Sequence, residues 1–293
     1  MEKYVVLCYN KIKCVRWAKN MRSFLLKMPQ QMERIIELDC PELIWKLGMK
    51  YGRYVSACES MRMADIRITK SGEAVYTLTI GDTVTQTAQP LVSVERFLFE
   101  HPSYDAGVLA LHGAAVEWQG KCYVFLASTT TGKTTLTSYL AHCGFGYITE
   151  DCVLLDRSTH KVHPFPMPLH LREGGVKVLR RYDAVPVGLQ CLRESEDGPC
   201  RYVYTPQCCV EKPLPLGDMF FLERTDSQNA VLSMTLTEKI AALMKSPITV
   251  YPVTAEYLHF LADLSTQYGK RLQYCDMNFV KEVIGQYAIQ SST

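Results

Sequence analysis

The sequence predicts an α/β protein built around a phosphate-binding loop. Three observations carry that prediction: the segment ASTTTGKTT at 127–135, the apolar run CYVFL before it, and the helix-like LTSYLAH after it. A strand that enters a Gly-Lys-Thr turn opening a helix lets backbone N–H groups converge on phosphate oxygens. The 293 residues suffice for one large or two modest domains. The reading divides them into a small α+β accessory region over 1–105 and a domain over 106–293 that holds all the chemical motifs.

Residues 1–105 carry no chemical motif. Their start is basic, with Lys3, Lys11, Lys13, Arg16, Lys19, Arg22, Lys27 and Arg34 facing Glu2 and Glu33 alone, a bias read as a solvated face. Segment 29–49 has helical spacing in parts, interrupted by Pro41. ADIRITKSGEAVYTLTIGDTV reads as a hairpin turning across Lys70–Ser71–Gly72. VSVERFLFEH reads as a helix with Val94, Phe97 and Leu98 on one face.

From Gly107 strands and helices alternate, which argues for an α/β core. VLALHGAAVEW and KCYVFLA are strand-like, TTLTSYLAHCG is helical with glycine at its end, and YIT and CVLLD are strands. Segment 163–216 is rich in proline and glycine and reads as a long irregular insertion, of the kind that forms lids or substrate loops. MFFLER follows as a strand, TEKIAALM and EYLHFLADLSTQY as helices, and NFVKEVIGQYA as the closing helix.

Composition narrows the function. With 47% apolar and 21% charged residues the chain is globular, and a formal net charge of +2 gives no field that would attract nucleic acid. No apolar run approaches the roughly 18–20 residues of a membrane span. The opening MEKYVVLCYN is too short in its apolar core for a secretory signal. The expectation is a cytoplasmic protein with neither nucleic-acid nor membrane partners, its twelve cysteines held as thiols; a homo-oligomer is left open. Cys191, Cys200, Cys208 and Cys209 cluster, but without a C-x-x-C pair, and vicinal Cys208–Cys209 suits one tetrahedral zinc poorly.

The loop departs from the usual pattern. Ala127 stands where the first glycine is expected, and Thr129, Thr130 and Thr131 are β-branched residues that resist positive φ. Their amides remain available, and their hydroxyls add donors. Ser128, Thr129, Thr130, Thr131, Gly132, Lys133, Thr134 and Thr135 are therefore the candidate nucleotide-binding residues. Lys133 would neutralise the β/γ oxygens of ATP, and the Thr134 hydroxyl would ligate Mg2+.

Two further segments converge on this loop. If Gln119–Gly120 is a two-residue hairpin turn, Trp118 pairs with Lys121, and the register carried outward sets His112 opposite Ala127. Strand Tyr147–Thr149 ends in Glu150 and Asp151. Adjacent acids after an apolar strand suit a nucleotide site, one holding magnesium and the other taking the proton of an attacking hydroxyl. Asp156, after CVLL, is the rival for the metal role.

Together, LHGAAV with its short hairpin, the GKTT loop, CGFGYITEDCVLLD and VHPFPMPLHLR resemble the HPr kinase/phosphorylase family and its shorter relatives, in order and spacing. MFFLER and QYCDMNFVKEVI are similar to the shorter members, and GKTTL resembles phosphoenolpyruvate carboxykinase. The resemblance implies a phosphate-loop core with a mixed sheet and an ATP- and Mg2+-dependent kinase. The acceptor would be serine or threonine of a peptide or protein, including natural-product precursors, or a small hydroxyl compound. It implies that Lys133 and Thr134 hold phosphates and magnesium, that Glu150 is the general base with His112 supporting it, and that Asp151 assists the metal. Glu150 is one methylene longer than the family's aspartate, which leaves open which of the two acids is the base. His170 and Arg172 are candidates for acceptor contacts. Against these readings stands an inactive nucleotide-binding scaffold.

Overall fold

A computed structural model describes residues 23–29, 33–40, 43, 47–48, 51, 53–58, 63–100, 107–192, 200–248 and 252–290. The chain divides into two compact units, Met1–Asp105 and Ala106–Thr293.

The first unit is a sheet with a helix. Strands β1 (Ser23–Leu26), β2 (Arg34–Leu38), β3 (Val55–Ala57), β4 (Ile66–Lys70), β5 (Tyr76–Ile80) and β6 (Thr83–Thr87) run in the order β3-β1-β2-β4-β5-β6. RIIEL, placed within a partly helical segment by its spacing, is strand β2. Its β-branched Ile35 and Ile36 are buried, and it pairs antiparallel with β1 and parallel with β4, so tertiary pairing overrides local periodicity. The expected hairpin is β4–β5, extended by β6. Helix α1 (Pro90–Glu100) buries Val94 and Leu98. Of the basic series only Lys27 and Arg34 lie among the described residues, and each meets a carboxylate, Glu33 and Asp65 respectively. Pro41 also lies outside them.

The second unit is a mixed α/β layer structure. Its strands are β7 (Val108–Leu111), β8 (Gly113–Trp118), β9 (Lys121–Leu126), β10 (Gly146–Thr149), β11 (Val153–Asp156), β12 (Lys161–His163), β13 (Leu169–Arg172), β14 (Gln190–Leu192), β15 (Arg201–Tyr204), β16 (Leu214–Arg224), β17 (Ala230–Leu232) and β18 (Lys270–Tyr274). Its helices are α2 (Lys133–His142), α3 (Glu173–Arg180), α4 (Leu236–Met244), α5 (Ala255–Gln267) and α6 (Met277–Gln290). The main sheet follows β10-β8-β9-β16-β12-β11-β7, with β18 parallel to β16 and β17 beside β18.

Strand β9 explains the layering. Residues Cys122–Leu126 are all buried, as expected of a strand covered on both faces. By the two-residue period, Tyr123 and Phe125 pack with Leu136 and Leu140 of α2 and Val280 and Ile284 of α6. Cys122, Val124 and Leu126 pack on the other side with Leu243 of α4 and Leu261 and Leu264 of α5. Each fully buried side chain of this size contributes about 1.5–3 kcal/mol, so the loop at 127–132 springs from a strand anchored on both faces.

Three sequence expectations need correction. LHGAAVEW is not one strand: the chain breaks at His112, and β7 pairs with β11 while β8 pairs with β9 and β10. Nor is 163–216 irregular throughout. It contains α3 and a three-stranded antiparallel sheet in the order β13-β15-β14. The strands are three or four residues long, too short to stand out among the prolines. A disulfide joins Cys191 and Cys200, whose Cα atoms lie 5.9 Å apart, where thiols were expected throughout. The β14–β15 pairing is what brings these two cysteines together.

Candidate active site

The site lies where β9 and β10 end. Hairpin β8–β9 pairs Trp118 with Lys121 and runs out to Gly113 with Leu126, in the register expected from its turn. Gln119 and Gly120 both adopt positive φ, 51° and 78°, as a two-residue hairpin turn requires. His112 stands one step beyond the ladder. Gly113 is needed there, because a Cβ would lie 2.7 Å from Leu126 Cδ2 and 2.8 Å from the Phe125 carbonyl. The expected His112–Ala127 pair does not form: the His112 N–H donates to the Ser246 carbonyl at 2.6 Å, and the ring meets the loop through Lys133, which bonds the Ala127 carbonyl.

Residues 127–132 form the loop, and α2 begins at Lys133. Gly132, the N-cap, has φ 99° and no side-chain cap, so the first-turn amides of α2 have no partner within the helix. Thr131 donates to the Ser128 carbonyl at 2.9 Å, and the Ser128 and Thr131 hydroxyls are 3.1 Å apart. Thr130 adopts φ 71°, a left-handed conformation costly for a β-branched residue. The expectation that these threonines resist positive φ is met at two of the three positions and overruled at Thr130.

Lys133 is buried, and its ammonium group gathers the site. It donates to the carbonyls of Ala127 (2.8 Å) and Ser128 (3.3 Å) and lies 3.3 Å from His112 Nε2. His112 Nδ1 lies 3.3 Å from the Asp151 carbonyl. A carbonyl only accepts, so Nδ1 carries the proton and Nε2 offers its lone pair to the ammonium. Burial, then the Lys133 charge, lowers the His112 pKa, partly offset by Asp151, and the ring stays neutral. Burial likewise lowers the Lys133 pKa against the pull of Asp151 and Glu150.

The acids occupy a tight turn. Cys152 N–H donates to the Glu150 carbonyl at 2.9 Å, Thr149 Oγ1 donates to the Cys152 carbonyl at 2.7 Å, and Asp151 between them has φ 65°. A bond from i+2 back to i around a left-handed residue is a strained γ-turn. It sends the two neighbouring carboxylates into different surroundings: Glu150 is 4% exposed, whereas Asp151 is open to solvent. The Thr134 hydroxyl donates to Glu150 Oε1. Burial, followed by the Asp151 charge, pushes the Glu150 pKa up to about 8, against hydrogen bonds from Thr134 and the His170 backbone and the Lys133 charge.

His112, Lys133, Thr134, Glu150 and Asp151 are thus brought together. His170 meets Glu150 through its backbone on β13, while Arg172 is exposed at the N-cap of α3. Thr135 turns away from the acids and packs against α3, where a Cβ on Gly175 would lie 2.7 Å from its hydroxyl. Asp156, the rival for the metal role, lies at the other end of β11 from these acids. It pairs with Val108 at the far end of β11, and despite burial its carboxylate is held at about 2 by Ser158 and Thr159. Sequence reading missed Tyr274, whose phenol donates to the Thr131 carbonyl at 3.2 Å, and Arg224 beside it. Their only sequence signal is a place at strand ends.

The donor set fits a nucleotide with its metal. Hydroxyl and carboxylate oxygens suit Mg2+, and the loop combines free helix amides with a lysine, as a polyphosphate requires.

No protein-family model and no curated protein matches the chain. Among solved structures it is similar to the HPr(Ser) kinase/phosphatase from Coxiella burnetii at 9% identity, over 54% of this chain and 94% of that one, with a TM-score of 0.24. A likeness that low carries no weight for fold or function. Among the described residues no helix is long and apolar enough to cross a membrane.

Proposed function

We propose that residues 106–293 form an ATP- and Mg2+-dependent kinase that transfers the γ-phosphoryl group to a hydroxyl, serine or threonine of a peptide or protein. The observation that carries this reading is the contact chain Ala127–Lys133–His112–Asp151 with Thr134–Glu150, which joins loop, helix start and acidic turn in one site. The acceptor class rests on the resemblance of the motifs rather than on a feature of the site.

In this mechanism the loop amides and Lys133 hold the phosphates. Thr134 and Asp151 would hold magnesium, which would supply charge neutralisation on the phosphate oxygens. Glu150 acts as base in its ionised form, which the Thr134 hydrogen bond and the Lys133 charge favour against burial; that carboxylate accepts the acceptor hydroxyl's proton as the oxygen bonds to the γ-phosphorus and the bond to the β-phosphate oxygen breaks. His112, neutral and fixed at both nitrogens, sets the distance between Lys133 and the acidic turn. Positioning and charge neutralisation do most of the work.

Transfer of label from γ-labelled ATP, screened over peptides and small hydroxyl compounds, tests the reading. Labelled serine or threonine supports it, and label on small molecules alone moves the acceptor class. Saturable ATP binding without transfer to any acceptor would make the chain a nucleotide-binding scaffold.

A further inference from the structure

Strand order gives the site two sides. From β9 the sheet runs through β8 to β10 and the acids on one side, and directly to β16 and then β18 on the other. Strands β9, β16 and β18 are parallel, with Phe221 opposite Leu126 and Arg224 opposite Tyr274. Both of the latter therefore stand beyond the end of β9, at the level of the loop. Ligands of parallel sheets bind at these carboxyl ends.

Arg224 and Tyr274 wall the loop there. A Cβ on Gly132 would lie 3.3 Å from the Tyr274 hydroxyl and 3.9 Å from an Arg224 guanidinium nitrogen. Tyr274 is buried and braces the loop through Thr131. Arg224 is exposed, and among the described residues its guanidinium makes no ion pair. An arginine held against a phosphate loop without a carboxylate partner is a cation placed for an anion.

Resting on the kinase reading, we propose that Arg224 binds the nucleotide's α/β-phosphates. The polyphosphate would then cross the loop with its γ end toward Glu150–Asp151 and its nucleoside end over β16 and β18. Lys133 serves the transferred end, and Arg224 the part that departs as ADP.

Calorimetric titration of wild type, Arg224→Ala, Arg224→Gln and Arg224→Lys with ATP and ADP in excess Mg2+ decides it. The expected result is a loss of about tenfold for ATP and ADP alike in the alanine and glutamine variants, the scale of one charge-assisted hydrogen bond, with partial recovery in the lysine variant. A loss confined to ATP would put Arg224 at the γ end and overturn the assignment. So would affinities within twofold of wild type. If wild type binds no nucleotide, the kinase reading falls as well, so the two failures are distinguishable.

Discussion

The two turns that end β9 and β10 solve opposite problems. Each contains one non-glycine residue in the left-handed region, Thr130 and Asp151. The first turn is a loop of exposed hydroxyls bonded to their own backbone, gathered around a lysine that rests on carbonyls. The second buries Glu150 and leaves Asp151 in water. There the backbone strain separates two carboxylates that would otherwise share one environment. On the proposed reading, one turn serves as an electrostatic receptor, and the other as an acid–base pair whose arrangement costs stability.

Lys133→Ala breaks the receptor and carries the largest expected effect. Loss of the central cation should cut kcat/KM for phosphoryl transfer by about a thousandfold and weaken ATP in a direct titration. Unchanged ATP affinity and turnover would remove the loop from the mechanism. Glu150→Gln breaks the other turn and should separate the two functions. ATP binding persists, while transfer falls by about a hundredfold; near-normal transfer would reassign the base to Asp151.

The same variant tests the stability cost. Between a carboxyl's ordinary pKa of 4.5 and about 8, the folded state keeps a proton on Glu150 that the unfolded chain has lost. Wild-type stability therefore falls as pH rises through that window. Glutamine has no such proton. In EDTA, the variant should melt higher than wild type at pH 8 by more than it does at pH 5. Parallel melting curves across that range would show that Glu150 is not held protonated.

Much of this contrast is legible in the sequence, and the reasons differ by residue. The register from Trp118–Lys121 out to Gly113–Leu126 follows from the two residues of the Gln119–Gly120 turn, since a tight turn fixes the later pairs, but the break at His112, whose N–H bonds Ser246, does not. Glu150 and Asp151 are visible as acids ending an apolar strand, but not as one buried and one exposed, because the γ-turn depends on Asp151 accepting a left-handed φ. Tyr274 meets Thr131 across 143 positions, and its strand KRLQY hides among charged residues. Such contacts belong to the sheet order, which no local pattern encodes. RIIEL in the first unit fails for the same reason.

A smaller effect probes the link between the turns. Gly113→Ala puts a Cβ against Leu126 and the Phe125 carbonyl, a backbone atom that cannot swing away. The expected cost is about 1–3 kcal/mol, read from denaturant unfolding, with transfer reduced further than ATP affinity because His112 moves. A fully stable, fully active variant would show that the approach of the two strands relaxes freely.

The smallest effect is the most informative about the glycine-poor loop. Thr130→Gly releases a left-handed conformation worth about 1–2 kcal/mol in a side-chain-bearing residue. It also adds about 0.4–1 kcal/mol of unfolded-state freedom. These oppose each other, so unfolding should shift by less than about 1.6 kcal/mol, and ATP affinity should stay within a few-fold, because the loop amides remain. Asp151→Gly makes the same backbone exchange in the other turn but deletes a carboxylate placed for magnesium. It should raise the Mg2+ concentration needed for half-maximal transfer, while Thr130→Gly leaves it alone. If both variants shift the Mg2+ requirement equally, the left-handed residues serve only the backbone, and the division between receptor and acid–base turn does not hold.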